Sequence, residues 1–149
     1  MRTVRELEII AEQRLYDAKA LYRAKRYDGA IYICGYAIEV ALKAAVCKHH
    51  GWADYPQSLA EYNAHPSKNL YSPYWTHNLN QLMNGSGMVS TITTLHRKEW
   101  RRVSSWHPES RYNPPIMGIG RRTKAILKTK LARRAQRTID AVDVLLGVL

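Results

Sequence analysis

The stretch that decides the fold runs from Tyr27 to His49 and reads YDGAIYICGYAIEVALKAAVCKH. It predicts a helix that is apolar on almost every face, which is typical of the centre of a helical domain or of a membrane span. Glu39 and Lys43 lie near its middle, where a charge costs roughly 2.5–3.5 kcal/mol on membrane-insertion scales. Gly35 would let other helices come close. We therefore expect a buried central helix that stops at Gly51.

The segments on either side predict an all-α fold, a bundle of four to five helices in one domain over residues 1–149. Apolar residues at helical spacing predict three further long helices, at 3–24, 88–106 and 119–148. Short helices are predicted at 58–62 and 76–83, and Asp28-Gly29 predicts a tight turn before the central helix. Residues 52–76 are expected to be largely irregular because three prolines interrupt them.

A family resemblance lies in the run DAKALYRAKRYDGAIYICGYAIEVALKAAV, from Asp17 to Val46. It resembles the first two helices of HEPN domains, which are small helical nucleotide-binding and ribonuclease domains. The matching features are a helix that ends in a basic segment, then Tyr-Asp-Gly-Ala, then Gly-Tyr-Ala-x-Glu-x-Ala-Leu-Lys. The later triplet from His77 to Leu79 resembles a His-[Asp/Asn]-Leu element of the family. The resemblance implies an HEPN-like bundle but leaves activity open, because the family includes nucleases and non-catalytic members.

The two cysteines indicate a reducing compartment. Cys34 and Cys47 fall in one predicted helix, about 20 Å apart, which is too far for a disulfide. Neither belongs to a zinc-binding pattern, so we expect free thiols, no metal site and no cofactor. The N-terminal MRTVRELEII is charged at once and lacks the apolar core of a signal peptide. We expect a cytoplasmic protein with no membrane partner.

The positive charge is concentrated in one part of the sequence. The net charge is +11, and residues 97–137 hold thirteen Lys or Arg against two acids. The remainder is balanced, with ten basic and ten acidic residues. A concentrated excess of this kind implies a polyanionic partner, with RNA, DNA and a membrane surface as candidates. Nucleic acid is the preferred candidate, through a basic face on the last helix that includes Lys130, Arg133, Arg134 and Arg137.

The main catalytic candidate is Arg102-Val-Ser-Ser-Trp-His107, an Arg-x4-His sequence, with Arg101 one residue earlier. It resembles the Arg-x4-6-His motif found late in catalytic HEPN domains, where it is paired across a homodimer. Histidine has an unperturbed pKa near 6.5 and can transfer protons at neutral pH. A guanidinium can stabilise the charge of a phosphorane by bidentate contact.

Three features depart from that motif or offer another interpretation. Nuclease members often carry a polar residue after the Arg, where this chain has Val103. Pro108 disfavours helical geometry at His107, so the two side chains would not share one helical face. Arg102 would otherwise be a solvated helix residue, and His107 part of a structured corner.

Arg111 and Tyr112 form a second candidate, within Trp106-His-Pro-Glu-Ser-Arg-Tyr-Asn-Pro114. The segment resembles one in HEPN proteins that accompany minimal nucleotidyltransferases. Arg111 would hold a phosphate, and Tyr112 would stack on a base or simply pack the loop onto the bundle. One branch of the family has a tyrosine two residues after the motif histidine, where the partner attaches AMP. This chain has Glu109 there, which argues against that mechanism.

Glu39 and His77 are expected to be structural. Glu39 should be a buried carboxylate paired with Lys43 one turn on. His77 should form hydrogen bonds at a helix start rather than act as a base.

The sequence thus favours a homodimeric, metal-independent endoribonuclease, in a toxin–antitoxin or defence module with a nucleotidyltransferase-type antitoxin. That setting is implied by the resemblance alone. The first alternative is a non-catalytic HEPN module that binds nucleotide, RNA or protein. The second is a basic helical scaffold that docks on an acidic protein.

Overall fold

The structure, a computed structural model, describes residues 1–112 and 120–149, with side chains for 1–110 and 120–149. These residues form eight α-helices, two 3₁₀ helices and one short β-ladder, so the predicted all-α class is confirmed. The strands and the first two helices are β1 (Arg2–Thr3), α1 (Val4–Arg23), α2 (Tyr27–His50) and β2 (Asp54–Tyr55). The later helices are α3 (Leu59–Ala64), α4 (Lys68–Tyr71), α5 (Leu79–Gly85), α6 (Val89–Leu95), α7 (Arg97–Val103) and α8 (Arg121–Leu146). The 3₁₀ helices span Ser72–Tyr74 and Pro108–Tyr112.

α1 and α2 form an antiparallel hairpin at the centre of the fold. α1 begins with a capping box, in which the Thr3 hydroxyl accepts from the Glu6 N–H and the Glu6 carboxylate accepts from the Thr3 N–H. The open end of the hairpin is closed by β1 and β2, which pair antiparallel with Arg2 opposite Tyr55. This two-residue ladder is too short to leave an alternating pattern in the sequence.

The turn between these helices differs from the prediction. Asp28 and Gly29 lie inside the first turn of α2, and the connection is made earlier, by residues 24–26. The Lys25 N–H donates to the Tyr22 carbonyl and the Arg26 N–H to the Leu21 carbonyl, which is a Schellman motif. Its left-handed position is occupied by Lys25, with φ of 59°, where glycine is usual.

α2 is the buried central helix that the sequence predicts. Twelve of its residues are buried, and it ends at Gly51 in the left-handed conformation. Within the described residues, α2 is the one helix long and apolar enough to cross a membrane, and two thirds of its apolar window is buried inside the protein. The main core packs α2 against α1, α5, α6, α7 and the second half of α8.

Residues 52–76 are more ordered than predicted, because aromatic side chains anchor short elements to the hairpin. α3, α4 and a 3₁₀ helix lie in this segment. Tyr55 and Tyr71 are buried in a second small core with Leu7, Ala44 and Cys47. The phenol of Tyr71 donates to the Asp54 carbonyl at 3.2 Å. Tyr71, Tyr74 and Trp75 thus fix this segment to the bundle.

The prediction of one long helix at 88–106 is wrong. The structure has two helices there, α6 and α7, with a break at His96, whose φ and ψ are −127° and 27°. Ile92 and Val103 are buried as predicted, whereas Leu95 is 70% exposed and Val89 is 38% exposed. The break changes the direction of the chain, so the apolar residues before and after it no longer share one inward face. The predicted helix count of four to five is accordingly too low.

α8 has two dissimilar halves. Its second half is buried in the core through Ala135, Thr138, Ile139, Ala141, Val142 and Leu145. Its first half is largely exposed, and even Ile126 is 52% exposed. Leu127 and Leu131, which continue the apolar spacing of the buried half, are only partly buried. The apolar half therefore anchors α8 in the core and leaves the basic half largely exposed.

Candidate nucleic-acid interface

The Arg-x4-His segment spans the end of α7 and the corner that follows. Arg102 is the penultimate residue of α7 and is partly buried. The helix ends at Val103, whose carbonyl accepts from the Trp106 N–H at 2.9 Å. His107 follows this turn and directly precedes the 3₁₀ helix at Pro108. Arg102 and His107 therefore do not lie on one helical face, as the proline predicts.

Trp106 docks this corner onto α2. Gly35 lies directly beneath the indole, so close that an added Cβ would be 2.1 Å from the ring atoms. The Tyr32 and Tyr36 rings flank the indole, with centroids 6.0 Å and 5.1 Å away. The Tyr32 hydroxyl also donates to the Pro108 carbonyl at 3.2 Å. The close approach that the small Gly35 permits is made by this indole.

His107 is exposed, with 62% of its side chain accessible. Its Nδ1 accepts from the Glu109 N–H at 3.3 Å, and a Glu109 carboxylate oxygen lies 3.8 Å away. In the neutral ring this bond assigns the proton to Nε2. Nε2 is then the atom available for hydrogen bonding to a ligand.

Arg102 lines a cavity of about 690 Å³ between the start of α2, the end of α7 and the basic half of α8. Of the residues whose side chains are described, six cations and one acid, Asp28, line it. The cations are Lys25, Arg26, Arg102, Lys124, Lys128 and Arg134. Among the residues that the structure describes, none of the six forms a salt bridge. Six positive charges around a single acid make a site suited to an anion.

Aromatic and apolar side chains form the rest of the wall. Tyr27, Tyr32 and Trp106 line the cavity together with Ile31 and Leu131. The Trp106 Nε1 is buried and has no hydrogen-bond partner within the described residues. Cationic and aromatic groups around one cavity are the combination that binds single-stranded nucleic acid.

The predicted binding residues are only partly brought together. Arg102 and Arg134 line the cavity, whereas Arg101, Lys130, Arg133 and Arg137 are exposed outside it, as is His107. The side chains of Arg111 and Tyr112 lie outside the described residues, so the prediction for them stands as it was. Sequence reasoning missed Lys25, Arg26, Tyr27 and Tyr32. The basic segment before α2 is the signal in the sequence that points to Lys25 and Arg26.

A second polar cluster surrounds Glu39 and is separate from the cavity wall. Glu39 is 2% exposed, and one of its oxygens contacts Lys43 Nζ at 2.6 Å and His77 Nδ1 at 2.9 Å. The predicted Glu39–Lys43 pair is confirmed. The contact to His77 connects α2 to the residues before α5, which supports the structural role expected of this histidine. Among the residues described, no group of three His, Cys, Asp or Glu side chains is arranged to hold a metal ion.

Comparison with known proteins finds a family match in the part of the chain that forms the hairpin. Residues 4–62 match the family model of the HEPN domain. No curated protein and no solved structure matches the chain. The matched region covers α1, α2 and the first four residues of α3, and so includes the hairpin around which the other helices pack. Over residues 4–62, about two fifths of its length, the chain is therefore similar to the HEPN domain, and the all-α architecture agrees with that similarity.

Proposed function

We propose that the protein binds RNA in the basic cavity and cleaves it as a metal-independent endoribonuclease. The observation that carries the proposal is the position of Arg102, which lines a cavity with five other cations and one acid. A guanidinium there would contact a phosphate of the bound strand in the bidentate manner that suits a phosphorane. The HEPN family includes ribonucleases, which supports the same activity.

The proposed reaction is an attack of the ribose 2′-OH on the adjacent phosphate. The 2′-oxygen bonds to phosphorus, the bond to the 5′-oxygen breaks, and a 2′,3′-cyclic phosphate and a 5′-OH are formed. One histidine accepts the 2′-OH proton, and a second histidine, protonated before the step, donates its proton to the departing 5′-oxygen. Arg102 stabilises the charge that develops on the phosphorane oxygens. His107, with Nδ1 occupied, would transfer the proton through Nε2.

The proposed catalytic unit is a homodimer. His107 is not among the residues that line the cavity with Arg102, so the cavity of one chain has the guanidinium without the imidazole. A second copy would add its own Arg102 and His107 and complete the set of a base, an acid and two guanidiniums. Light scattering should therefore find a dimer at micromolar concentration. A monomer would count against the nuclease.

The exposure of His107 also favours the second candidate, a non-catalytic module that binds RNA or nucleotide. Such a module needs the cavity but does not need an imidazole that transfers protons. Binding by this module would be unaffected by removal of the imidazole. The two candidates therefore differ in what the His107→Ala substitution does.

The proposed setting is a cytoplasmic toxin or defence protein, one HEPN-like domain over residues 1–149, with a nucleotidyltransferase-type antitoxin. The family match and the resemblance around Trp106 to Pro114 support this setting. The two cysteines, which are both free and buried, support a reducing compartment.

The test is inducible expression in a bacterial host. Wild-type protein should arrest growth and fragment cellular RNA, and His107→Ala at equal abundance should not. The Arg101→Ala variant is the matched control, because Arg101 is exposed and does not line the cavity. It should remain toxic. Equal growth of cells with wild-type and His107→Ala protein would favour the non-catalytic module.

A further inference from the structure

We infer that the cavity is a subsite for one unpaired nucleotide of an RNA strand, with Tyr27 as its stacking surface and cations of the α1–α2 turn and of α8 as its phosphate ligands. The inference rests on the proposed RNA binding and deepens it. It makes single-stranded RNA the substrate class. It also adds residues that the family match does not single out.

The size and lining of the cavity suit one nucleotide. Its volume of about 690 Å³ is within the roughly 300–1,000 Å³ typical of small-ligand sites. In a duplex, the bases are stacked and paired, and the major groove of A-form RNA is too narrow for side chains to read. A base reaches the aromatic residues of this cavity only if it is unstacked from its neighbours. A duplex would offer its phosphates alone.

Tyr27 is the aromatic residue best placed to accept a base. Tyr32 is held by hydrogen bonds between its hydroxyl and both Tyr36 and Pro108, and Trp106 is held against Gly35. Tyr27 is partly buried, and Tyr22 supports it with a ring centroid 5.3 Å away. Within the described residues the Tyr27 hydroxyl makes no hydrogen bond. A supported ring without a structural hydrogen bond can stack on a base at little cost to the fold.

The cations proposed as phosphate ligands come from two separate elements, α8 and the turn between α1 and α2. Lys124 and Lys128 are one turn apart on α8 and so share a face of that helix. Lys25 and Arg26 line the cavity from the turn between α1 and α2. A strand whose base entered the cavity would carry a phosphate on each side of that nucleotide. One phosphate would bind the α8 cations and the other the cations of the turn.

The backbone of Lys25 supports a role for its charge. Lys25 occupies the left-handed position of the Schellman motif with φ of 59°, a conformation that favours glycine. A lysine there is strained relative to glycine, and its ammonium lines the cavity. Lys25→Gly should therefore raise the urea midpoint of unfolding while it weakens RNA binding. A loss of affinity in a more stable protein cannot come from misfolding.

The test is fluorescence anisotropy with the full chain and 2′-O-methyl RNA, which lacks the attacking 2′-OH. The probes are a labelled eight-nucleotide oligouridine and a hairpin duplex of eight base pairs. The wild type should bind the single strand at least ~10-fold more tightly than the duplex. Removing one stacked aromatic typically costs roughly ten- to a hundred-fold in affinity. Tyr27→Leu should show a loss of that size for the single strand and little change for the duplex.

Charge variants complete the design. Lys124→Gln with Lys128→Gln should weaken binding more than the control pair Lys130→Gln with Arg137→Gln, which is on the same helix but outside the cavity. Equal losses for the two pairs would overturn the inference, as would normal binding by Tyr27→Leu or by Lys25→Gly. Uridine monophosphate that bound as tightly as the octamer would also overturn it, since the site would then serve a free nucleotide. If the variants behave as expected and wild-type protein cleaves no RNA, only the nuclease proposal fails.

Discussion

The Gly35→Ala substitution tests the docking of the Arg102–His107 corner. The new Cβ would lie 2.1 Å from the Cγ, Cδ1 and Nε1 atoms of Trp106. Carbon atoms pack at about 3.5–4.0 Å, so the indole must retreat by about 1.5 Å. The Tyr32 and Tyr36 rings flank the indole and restrict that movement. Overpacking of this kind costs about 1–3 kcal/mol, and full loss of a tryptophan side chain about 3–5 kcal/mol.

Helix propensity offsets part of this cost, because alanine is better than glycine in a helix interior by about 1 kcal/mol. The net expectation for Gly35→Ala is a loss of up to about 2 kcal/mol in the free energy of unfolding, which is about 1–3 kcal/mol worse than a glycine-to-alanine change without the clash. Gly29→Ala, on the same helix, is the matched control, because its Cβ would meet Leu21 at an ordinary 3.5 Å. It should be neutral or stabilise by up to about 1 kcal/mol. Urea unfolding followed by circular dichroism measures both. If Gly35→Ala were as stable as Gly29→Ala, the docking of Trp106 described above would be wrong.

Three further predictions concern other parts of the molecule. Lys43→Met leaves the buried Glu39 carboxylate with His77 alone and should lower the free energy of unfolding in urea by about 3–5 kcal/mol. The control Lys19→Met breaks only the exposed pair with Asp143 and should lower it by under about 1 kcal/mol. Similar losses in the two variants would contradict the burial of Glu39. Burial raises the pKa values of the Cys34 and Cys47 thiols to about 12, so at pH 8 a disulfide reagent should label neither thiol in native protein and both in urea. The stability that the neutral thiols contribute should be lost as pH rises from about 9 towards 12. Rapid labelling of native protein would refute this. The logarithm of RNA affinity should fall with the logarithm of salt concentration with a slope near −3.5, the value for about five neutralised phosphates on a single strand. Arg134→Glu should account for most of the loss of affinity in the triple reversal of Arg133, Arg134 and Arg137 to Glu. An unchanged affinity in the triple variant would show that the basic face serves another partner.

Much of the fold follows from local signals. α1, α2 and the second half of α8 are long and carry apolar residues at helical spacing, so periodicity alone places them. No proline or glycine lies at the break at His96, and the helical spacing of apolar residues continues across it, so the sequence gives no local sign of the break. The Lys25 turn was hidden by the Asp28-Gly29 dipeptide, a stronger local turn signal that in the fold lies inside α2.

The candidate site was predicted less completely, for a physical reason. Arg102 and the basic residues of α8 stand out by composition or motif. The cavity also depends on Lys25, Arg26 and Tyr27, which are about a hundred residues away in the sequence from Lys124 and Lys128. Tertiary packing of α7 and α8 against α2 brings them together, and no local pattern in one sequence carries that information.

Cleavage of RNA by the purified protein tests the central claim most directly. A 5′-labelled single-stranded RNA should be cut in EDTA, because Arg102 and His107 supply the charge stabilisation and the proton transfer, and the 5′ fragment should end in a 2′,3′-cyclic phosphate. His107→Ala and Arg102→Ala should each slow cleavage by ~10²-fold or more while RNA binding stays within a few-fold. Failure of the wild type to cut any RNA, or equal cutting by His107→Ala, would contradict the account and leave the protein a binding module.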